Sequence, residues 1–401
     1  MIKMPRVHVD EIVPDVYVLR VDDEETRFFE ALWEIPEGIT YNAYLVLGGE
    51  KNVLIDGWKG SYGELFMETL RRIVEPESID YIVVNHMEPD HTGTLPLMHA
   101  SASHAVILGH PLAAKMAGSF YGIRDRIKPV RDLEEVDLGG RRMVFHYTPW
   151  LHWPETMMTL LSPDNILFSC DAFGGYSAPP SIYDDGDWET YSYYAKKYLF
   201  TVIGAYIDHI AKNLEKLEKR GVKPSIVAPA HGLIFRKNPE KIVKLYGELA
   251  AGKTMHRKVA VIYDSMYGFV EEQVYEAVAG LKQLGATVSV HRLVDDYRST
   301  IADFIGEAGD AEAIIVGAST YEAGVFPLIE YVVDIFLKKI RRPKKVLIIS
   351  SYGWGGVAGK RLAKKFSEAG HEVVAVVENR GKIGEDGKKT LREALARLLE
   401  H

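Results

Sequence analysis

The hexad His86-Met87-Glu88-Pro89-Asp90-His91 sets two imidazoles and two carboxylates within six residues. Buried together, such groups are costly unless a cation sits among them. The apolar run at residues 79–84 reads as a strand leading into the hexad. If the extended backbone continues, alternate side chains share a side, so His86, Glu88 and Asp90 converge and His91 adds a fourth donor. Three later segments each follow a predicted strand and offer one further donor. They are Thr148-Pro149-Trp150-Leu151-His152-Trp153-Pro154, Ser169-Cys170-Asp171-Ala172-Phe173-Gly174 and Ala228-Pro229-Ala230-His231-Gly232, presenting His152, Asp171 and His231. The expected chemistry is metal binding. His146, within a strand, and His99, His104 and His110 are read as packing or surface residues, and Cys170 as a small buried apolar one.

A second set of residues suits a phosphorylated ring compound. Asp264-Ser265-Met266-Tyr267-Gly268 follows a strand and precedes a helix, so its N–H groups can cradle a phosphate. Ala318-Ser319-Thr320-Tyr321-Glu322-Ala323-Gly324 and Ser351-Tyr352-Gly353-Trp354-Gly355-Gly356 follow later strands and bring aromatics to flank a flat ring, with glycines that admit it. No G-x-G-x-x-G follows the first of these strands, which argues against a dinucleotide. The string Gly247-Glu248-Leu249-Ala250-Ala251-Gly252-Lys253-Thr254 matches a nucleotide-binding loop letter for letter. A helix precedes it and a strand follows, the reverse of what that chemistry needs, so it reads as a helix end and linker.

The elements that must position these residues divide in two. A length of 401 exceeds what one core usually holds. Residues 16–21, 42–47, 53–56, 79–84, 105–108, 143–146, 156–161, 166–169 and 225–228 read as strands, with helices at 61–73, over most of 187–220, and at 239–249. That mixed order suggests stacked sheets covered by helices. From Lys258 strand and helix alternate strictly. Strands at 259–263, 288–293, 313–317, 346–350 and 373–377, with helices at 271–284 and 357–368, specify a doubly wound parallel sheet. The expected division is 1–252 and 253–401.

Composition narrows the function. Hydrophobic residues at 47% and charged ones at 26% exclude a disordered or fibrous chain. With 48 Lys and Arg against 56 Asp and Glu, the net charge of −8 lacks the footprint of nucleic-acid binding. One cysteine cannot form an internal disulfide, a zinc knuckle or an iron–sulfur cluster. No apolar run follows the first residues and none approaches the ~18 of a membrane span, so a cytoplasmic protein with no membrane partner is expected.

The first half resembles the metallo-β-lactamase fold, whose hexad is His-x-His-x-Asp-His, with Glu88 in place of the second His. A carboxylate there hardens the site, away from zinc and toward iron or manganese. His-x-Glu-x-Asp-His with Leu-His-Trp-Pro, Asp-Ala-Phe-Gly and Ala-His-Gly resembles the flavodiiron proteins. The three later loops resemble flavodoxins, and Ser-Tyr-Gly-Trp-Gly-Gly resembles the flavodoxin half of flavodiiron proteins in particular. The resemblance covers nearly the whole chain. It implies α+β and α/β architecture: an N-terminal metallo-β-lactamase-like αββα sandwich, then a flavodoxin-like doubly wound five-stranded parallel sheet. It implies that His86, Glu88 and His152 bind one iron, Asp90, His91 and His231 the other, and that Asp171 bridges them. FMN would take its phosphate contacts from Ser265, Met266, Tyr267 and Gly268, and its ring contacts from Ser319 to Gly324 and Ser351 to Gly356. Where family members carry a hydroxyl or amide side chain and then Thr after that glycine, this chain has Phe269-Val270.

The implied activity is that of an FMN- and di-iron-dependent oxidoreductase, reducing dioxygen to water and/or nitric oxide to nitrous oxide. Its donor would be a separate rubredoxin or a reduced deazaflavin, and its subunits would pair head-to-tail in a homodimer or homotetramer. The competing reading is a dinuclear zinc hydrolase with an appended flavodoxin electron-transfer domain. A third, a pure electron carrier, would hold FMN without stoichiometric metal.

Overall fold

β-Branched and aromatic residues dominate the strands of the first half, as a surface packed between two layers requires. In the computed structural model, which describes residues 5–400, β1 (Val7–Val13) and β2 (Val16–Asp23) pair antiparallel. A small hairpin of β3 (Phe28–Phe29) and β4 (Trp33–Glu34) precedes β5 (Ile39–Leu47) and β6 (Asn52–Ile55), which extend that sheet antiparallel. β7 (Tyr81–Val84), β8 (Val106–Gly109) and β9 (Ile127–Pro129) complete it in parallel. A second sheet runs β10 (Glu135–Asp137), β11 (Arg142–Tyr147), β12 (Met157–Ser162), β13 (Ile166–Cys170), β14 (Ile226–Pro229), with only the last pair parallel.

The two sheets share one core. Val18, Tyr44, Val53 and Val83 of the first pack with Phe145, Met157, Phe168 and Ala228 of the second. Outside the first sheet lie α1 (Gly63–Leu70), the short α2 (Pro89–Thr92), α3 (Leu95–Ser101) and α4 (Pro111–Tyr121). The helix read from Asp187 is interrupted. Asp187 accepts the Glu189 N–H at 3.0 Å and starts α5 (Trp188–Tyr198). A π turn over Leu199–Ile203 and a 3₁₀ turn over Gly204–Tyr206 follow before α6 (Ile207–Lys219). Leu167 of the second sheet shares an apolar cavity with Leu214 and Leu217 of α6 and Val243 of α7 (Pro239–Ala250), so helices cover that face too.

By contacts, one unit comprises residues 1–199 and 206–247, the other 200–205 and 248–401. This division falls inside α7, five positions before the boundary read from the sequence, and assigns residues 200–205, most of the π turn and the start of the 3₁₀ turn, to the second unit. There the Phe200 ring occupies the space that a Cβ on Gly309 would need, 2.0 Å away.

In the second unit β15 (Met255–Asp264), α8 (Phe269–Gln283), β16 (Thr287–Leu293), α9 (Ile301–Gly309) and β17 (Ala311–Tyr321) succeed one another. After the two-residue β18 (Gly324–Val325) come α10 (Pro327–Lys339), β19 (Lys345–Tyr352), α11 (Ala358–Glu368), β20 (Glu372–Arg380) and α12 (Glu385–Leu398). The parallel order is β16-β15-β17-β19-β20, as expected for a flavodoxin-like sheet. β18, which the strand pattern did not suggest, folds back antiparallel on the end of β17. Glu322 and Ala323 make that tight turn with left-handed φ of 44° and 56°.

Candidate metal centre and cofactor cleft

β7 delivers the hexad and Asn85 anchors it. Asn85 donates its backbone N–H to Asp56 at 2.8 Å and its side-chain amide to the same carboxylate at 2.9 Å. The extended backbone then stops sooner than the sequence suggested. Pro89 has the φ of a helix start, and α2 begins there. Alternation therefore joins His86 and Glu88 only, while the helical turn carries Asp90 and His91 to a separate group.

The result is two clusters of potential ligands. His86, Glu88, His152 and Asp171 form one, and Asp90, His91 and His231 the other, each with one donor atom per residue within 4.8 Å of the rest. His152 Nε2 lies 2.9 Å and His86 Nε2 3.3 Å from Glu88 Oε2. Asp171 stands between the clusters. Its Oδ2 is 3.4 Å from His86 and 3.6 Å from His152, whereas its Oδ1 is 3.0 Å from His91 and 3.3 Å from His231. All seven side chains named for metal are thus brought together in this pattern.

The donors fit cations. Both oxygens of Asp90, Oδ2 of Asp171 and Nε2 of His231 are buried without a hydrogen-bond partner. Unpaired buried acceptors of this kind are expensive unless something positive satisfies them. Three carboxylates and four imidazoles, with an anion between the clusters, match two hard or borderline divalent ions.

Electrostatics in the protein alone points the same way. Burial opposes charging of His86, but hydrogen bonds with Glu155 and Glu88 hold its pKa well above the ordinary value. His231 is pushed up to about 10, because Asp171 and Asp90 outweigh its burial. Burial also opposes ionisation of Asp171, yet His91 and His231 hold it well below the usual carboxylate range. Without a metal, the neighbouring carboxylates favour the protonated forms of His86, His91 and His231. Metal ligation requires neutral imidazole, so binding must displace those protons.

Three supporting residues were not anticipated. Glu155 pairs with His86 Nδ1 at 2.7 Å. The Thr40 carbonyl meets His231 Nδ1 at 2.7 Å. Both contacts aim Nε2 at the cluster, the usual way of fixing a ligating His. Tyr198, the last residue of α5 before the π turn, donates its hydroxyl to Asp171 Oδ1 at 2.7 Å. Glu155 was within reach of the sequence reading, one position beyond Trp153-Pro154; nothing local marks Thr40 or Tyr198.

The other histidines named from the sequence, His146, His110, His99 and His104, lie outside both clusters. His146 is buried in β11, and burial lowers its pKa to about 4. His110 caps α4 by accepting the Leu112 N–H at 3.1 Å. His99 and His104 lie near Asp125 and Asp80. Cys170 Sγ does approach His91 and Asp171. Burial raises its pKa well above the usual value, which favours the protonated thiol. A cleft of about 500 Å³ lined by Phe29, Tyr41, Lys59 and Tyr121 opens onto Glu88 and Asp90, the access to the centre.

In the second unit a cleft of about 370 Å³ lies where strand order reverses, the ligand position of such sheets. Ser265, Met266 and Tyr267 line it from the first loop, Ser319, Thr320, Tyr321 and Glu322 from the second, and Ser351, Tyr352, Gly353 and Trp354 from the third. Gly268, Ala323, Gly324, Gly355 and Gly356 are not on its wall. Gly268 instead starts α8 in a left-handed conformation, φ 83°, that a side chain would strain. Gly356 makes room for Glu378, whose carboxylate accepts the Gly359 N–H at 3.3 Å near the start of α11. Asp264 accepts the Ser319 N–H at 2.9 Å and so ties the first loop to the second. Phe269, Val270, Arg380 and Gly381 complete the wall without having been expected there.

The family described as ODP family beta lactamase matches residues 39–232. A mutant of the flavo di-iron protein from Thermotoga maritima superposes with a TM-score of 0.93 at 40% identity, covering 99% of this chain and 100% of that one. The chain belongs to the flavodiiron protein family. Among other relatives, the nitric oxide reductase of Moorella thermoacetica is 30% identical over 91% of each chain. The rubredoxin oxygen:oxidoreductase from Desulfovibrio gigas superposes with a TM-score of 0.92 at 27% identity over 98% of both. This flavodiiron protein has no helix, among its described residues, long and apolar enough to cross a membrane.

Proposed function

We propose that this flavodiiron protein reduces dioxygen to water and/or nitric oxide to nitrous oxide at a di-iron centre, drawing electrons through FMN. One observation carries the reading: the two oxygens of Asp171 face two separate ligand clusters at the foot of an open cleft. In our assignment His86, Glu88 and His152 hold one iron and Asp90, His91 and His231 the other. Bound iron and FMN would supply the electron transfer itself, since FMN takes electrons singly or in pairs.

The chain's own residues supply position, charge and access. Glu155 and the Thr40 carbonyl orient His86 and His231. Tyr198, whose pKa burial holds well above the usual value, keeps its proton and steadies Asp171 Oδ1. Glu88 and Asp90 border the cleft through which a small gas reaches the centre. In the second unit the start of α8, with the Ser265 hydroxyl accepting the Glu271 N–H at 3.3 Å, is read as the phosphate end. The aromatics Tyr352 and Trp354 are read as the ring end. The di-iron chemistry is assigned to residues 1–252 and FMN to 253–401. The donor proposed is a rubredoxin or a reduced deazaflavin, and the assembly a homodimer or homotetramer in the cytoplasm.

Anaerobic reduction followed by parallel turnover with each gas, alongside iron and FMN quantitation, tests the reading. Two iron and one FMN per chain with reductant-dependent consumption of either gas is expected. Zinc without iron, together with ester hydrolysis that needs no reductant, would overturn it.

A further inference from the structure

The cleft in the second unit contains a charge that the three expected loops do not provide. Among the described residues, Arg380, the last residue of β20, is the one basic side chain on its wall, and Glu322 the one acidic. The strand end is held in place: Gly381 donates its N–H to the Tyr352 carbonyl at 3.1 Å, and the Ser351 hydroxyl donates to the Gly381 carbonyl at 3.1 Å. Tyr352 and Arg380 are register partners, and the guanidinium lies 6.0 Å from the Tyr352 ring centroid. That is the range of a cation over an aromatic face.

Its place in the sheet decides which end of the ligand it meets. β20 is three strands from β15, or about 14 Å at the usual strand spacing. The start of α8 follows β15, so the phosphate end and Arg380 are at opposite sides of the cleft. The third loop, with Tyr352 and Trp354, is Arg380's immediate neighbour. A reduced flavin carries more negative charge on its ring than an oxidised one, and a fixed cation beside the ring favours the more negative form.

We propose that Arg380 is a positioning and potential-setting residue of the flavin cleft, placing one positive charge beside the ring so that reduced FMN is bound more tightly than oxidised FMN. The inference rests on the function proposed above. Its first consequence is thermodynamic: the charge raises the flavin midpoint potential and makes the cofactor easier to reduce by a weak donor.

The test compares full-length protein with R380Q and R380K, measuring the FMN midpoint potential and the affinities for oxidised FMN and riboflavin. In R380Q we expect the preference for reduced over oxidised FMN to fall about tenfold, a drop of ~30 mV for a two-electron couple. R380K should keep most of the wild-type value, and the FMN-to-riboflavin affinity ratio should stay unchanged in both. An unchanged midpoint in R380Q overturns the inference alone. A loss of FMN affinity with riboflavin unaffected also overturns it, by assigning the charge to the phosphate. If the unaltered protein binds neither flavin, the proposed function fails and this inference with it.

Discussion

Glu155 Oε1 stands 2.7 Å from His86 Nδ1 and at the same time accepts the Met87 N–H at 3.1 Å. One buried carboxylate thus fixes the ring orientation of a ligand and the backbone just after it. A carboxylate partner also raises the basicity of the ligating nitrogen. E155Q keeps the shape and one acceptor but removes the charge. We expect metal affinity of the His86–Glu88–His152 cluster to fall by about 10–100-fold while FMN content stays normal. Iron titration against a chelator checks this, and unchanged affinity would show that Glu155 only packs.

D171N tests the shared carboxylate. Asp171 faces both clusters and also takes the Tyr198 hydroxyl. Replacing one anionic oxygen by an amide leaves two ions with less charge between them, so iron content should fall from two to one or none per chain. Full iron loading with normal turnover would remove Asp171 from its central role.

E88H restores an imidazole where the metallo-β-lactamase pattern has one. It exchanges an anionic oxygen for a neutral nitrogen and softens the site. The variant should hold less iron, take more zinc when both are supplied, and lose gas reduction while its flavin is still reduced by the donor. Metal analysis after mixed loading reads the outcome directly; wild-type iron content with unchanged turnover means Glu88 is no ligand.

Acid sensitivity should come partly from the second unit. His371 accepts the Lys344 N–H at 3.1 Å and packs against Phe336 and Phe366. Burial first, and Lys344 second, lower its pKa to about 4 from the ordinary value of 6.5. Between those values the unfolded chain binds the extra proton and the folded one does not, so stability falls as pH falls from about 6.5 to about 4. After allowance for solvent near the ring, the loss is on the order of 1–2 kcal/mol. H371N can accept the same N–H without titrating. Its denaturation midpoint should be lower than wild type at pH 7 but change less across this window, and parallel curves for the two proteins would refute the assignment.

Residue types and local order were enough for much of this. Alternating strands and helices after Lys258 specify a parallel sheet because each helix carries the chain back along the sheet, so the next strand runs in the same direction through a right-handed crossover. The order β16-β15-β17-β19-β20 then places the loops after β15, β17 and β19 at one edge. The hexad and the isolated His152, Asp171 and His231 were legible because buried carboxylates and imidazoles at strand ends need a reason to be there. Local spacing did not give the partition of those seven residues, which came only from the family resemblance, since Pro89 starts a helical turn that splits an otherwise extended hexad. Nor could local spacing reveal contacts between residues distant in sequence. Tyr198 reaches Asp171 across 27 positions, the Thr40 carbonyl reaches His231 across 191, and Arg380 stands beside Tyr352 only because β20 is laid next to β19. Side-chain chemistry is written locally, but orientation and supporting hydrogen bonds come from packing, which brings together residues that no local spacing links.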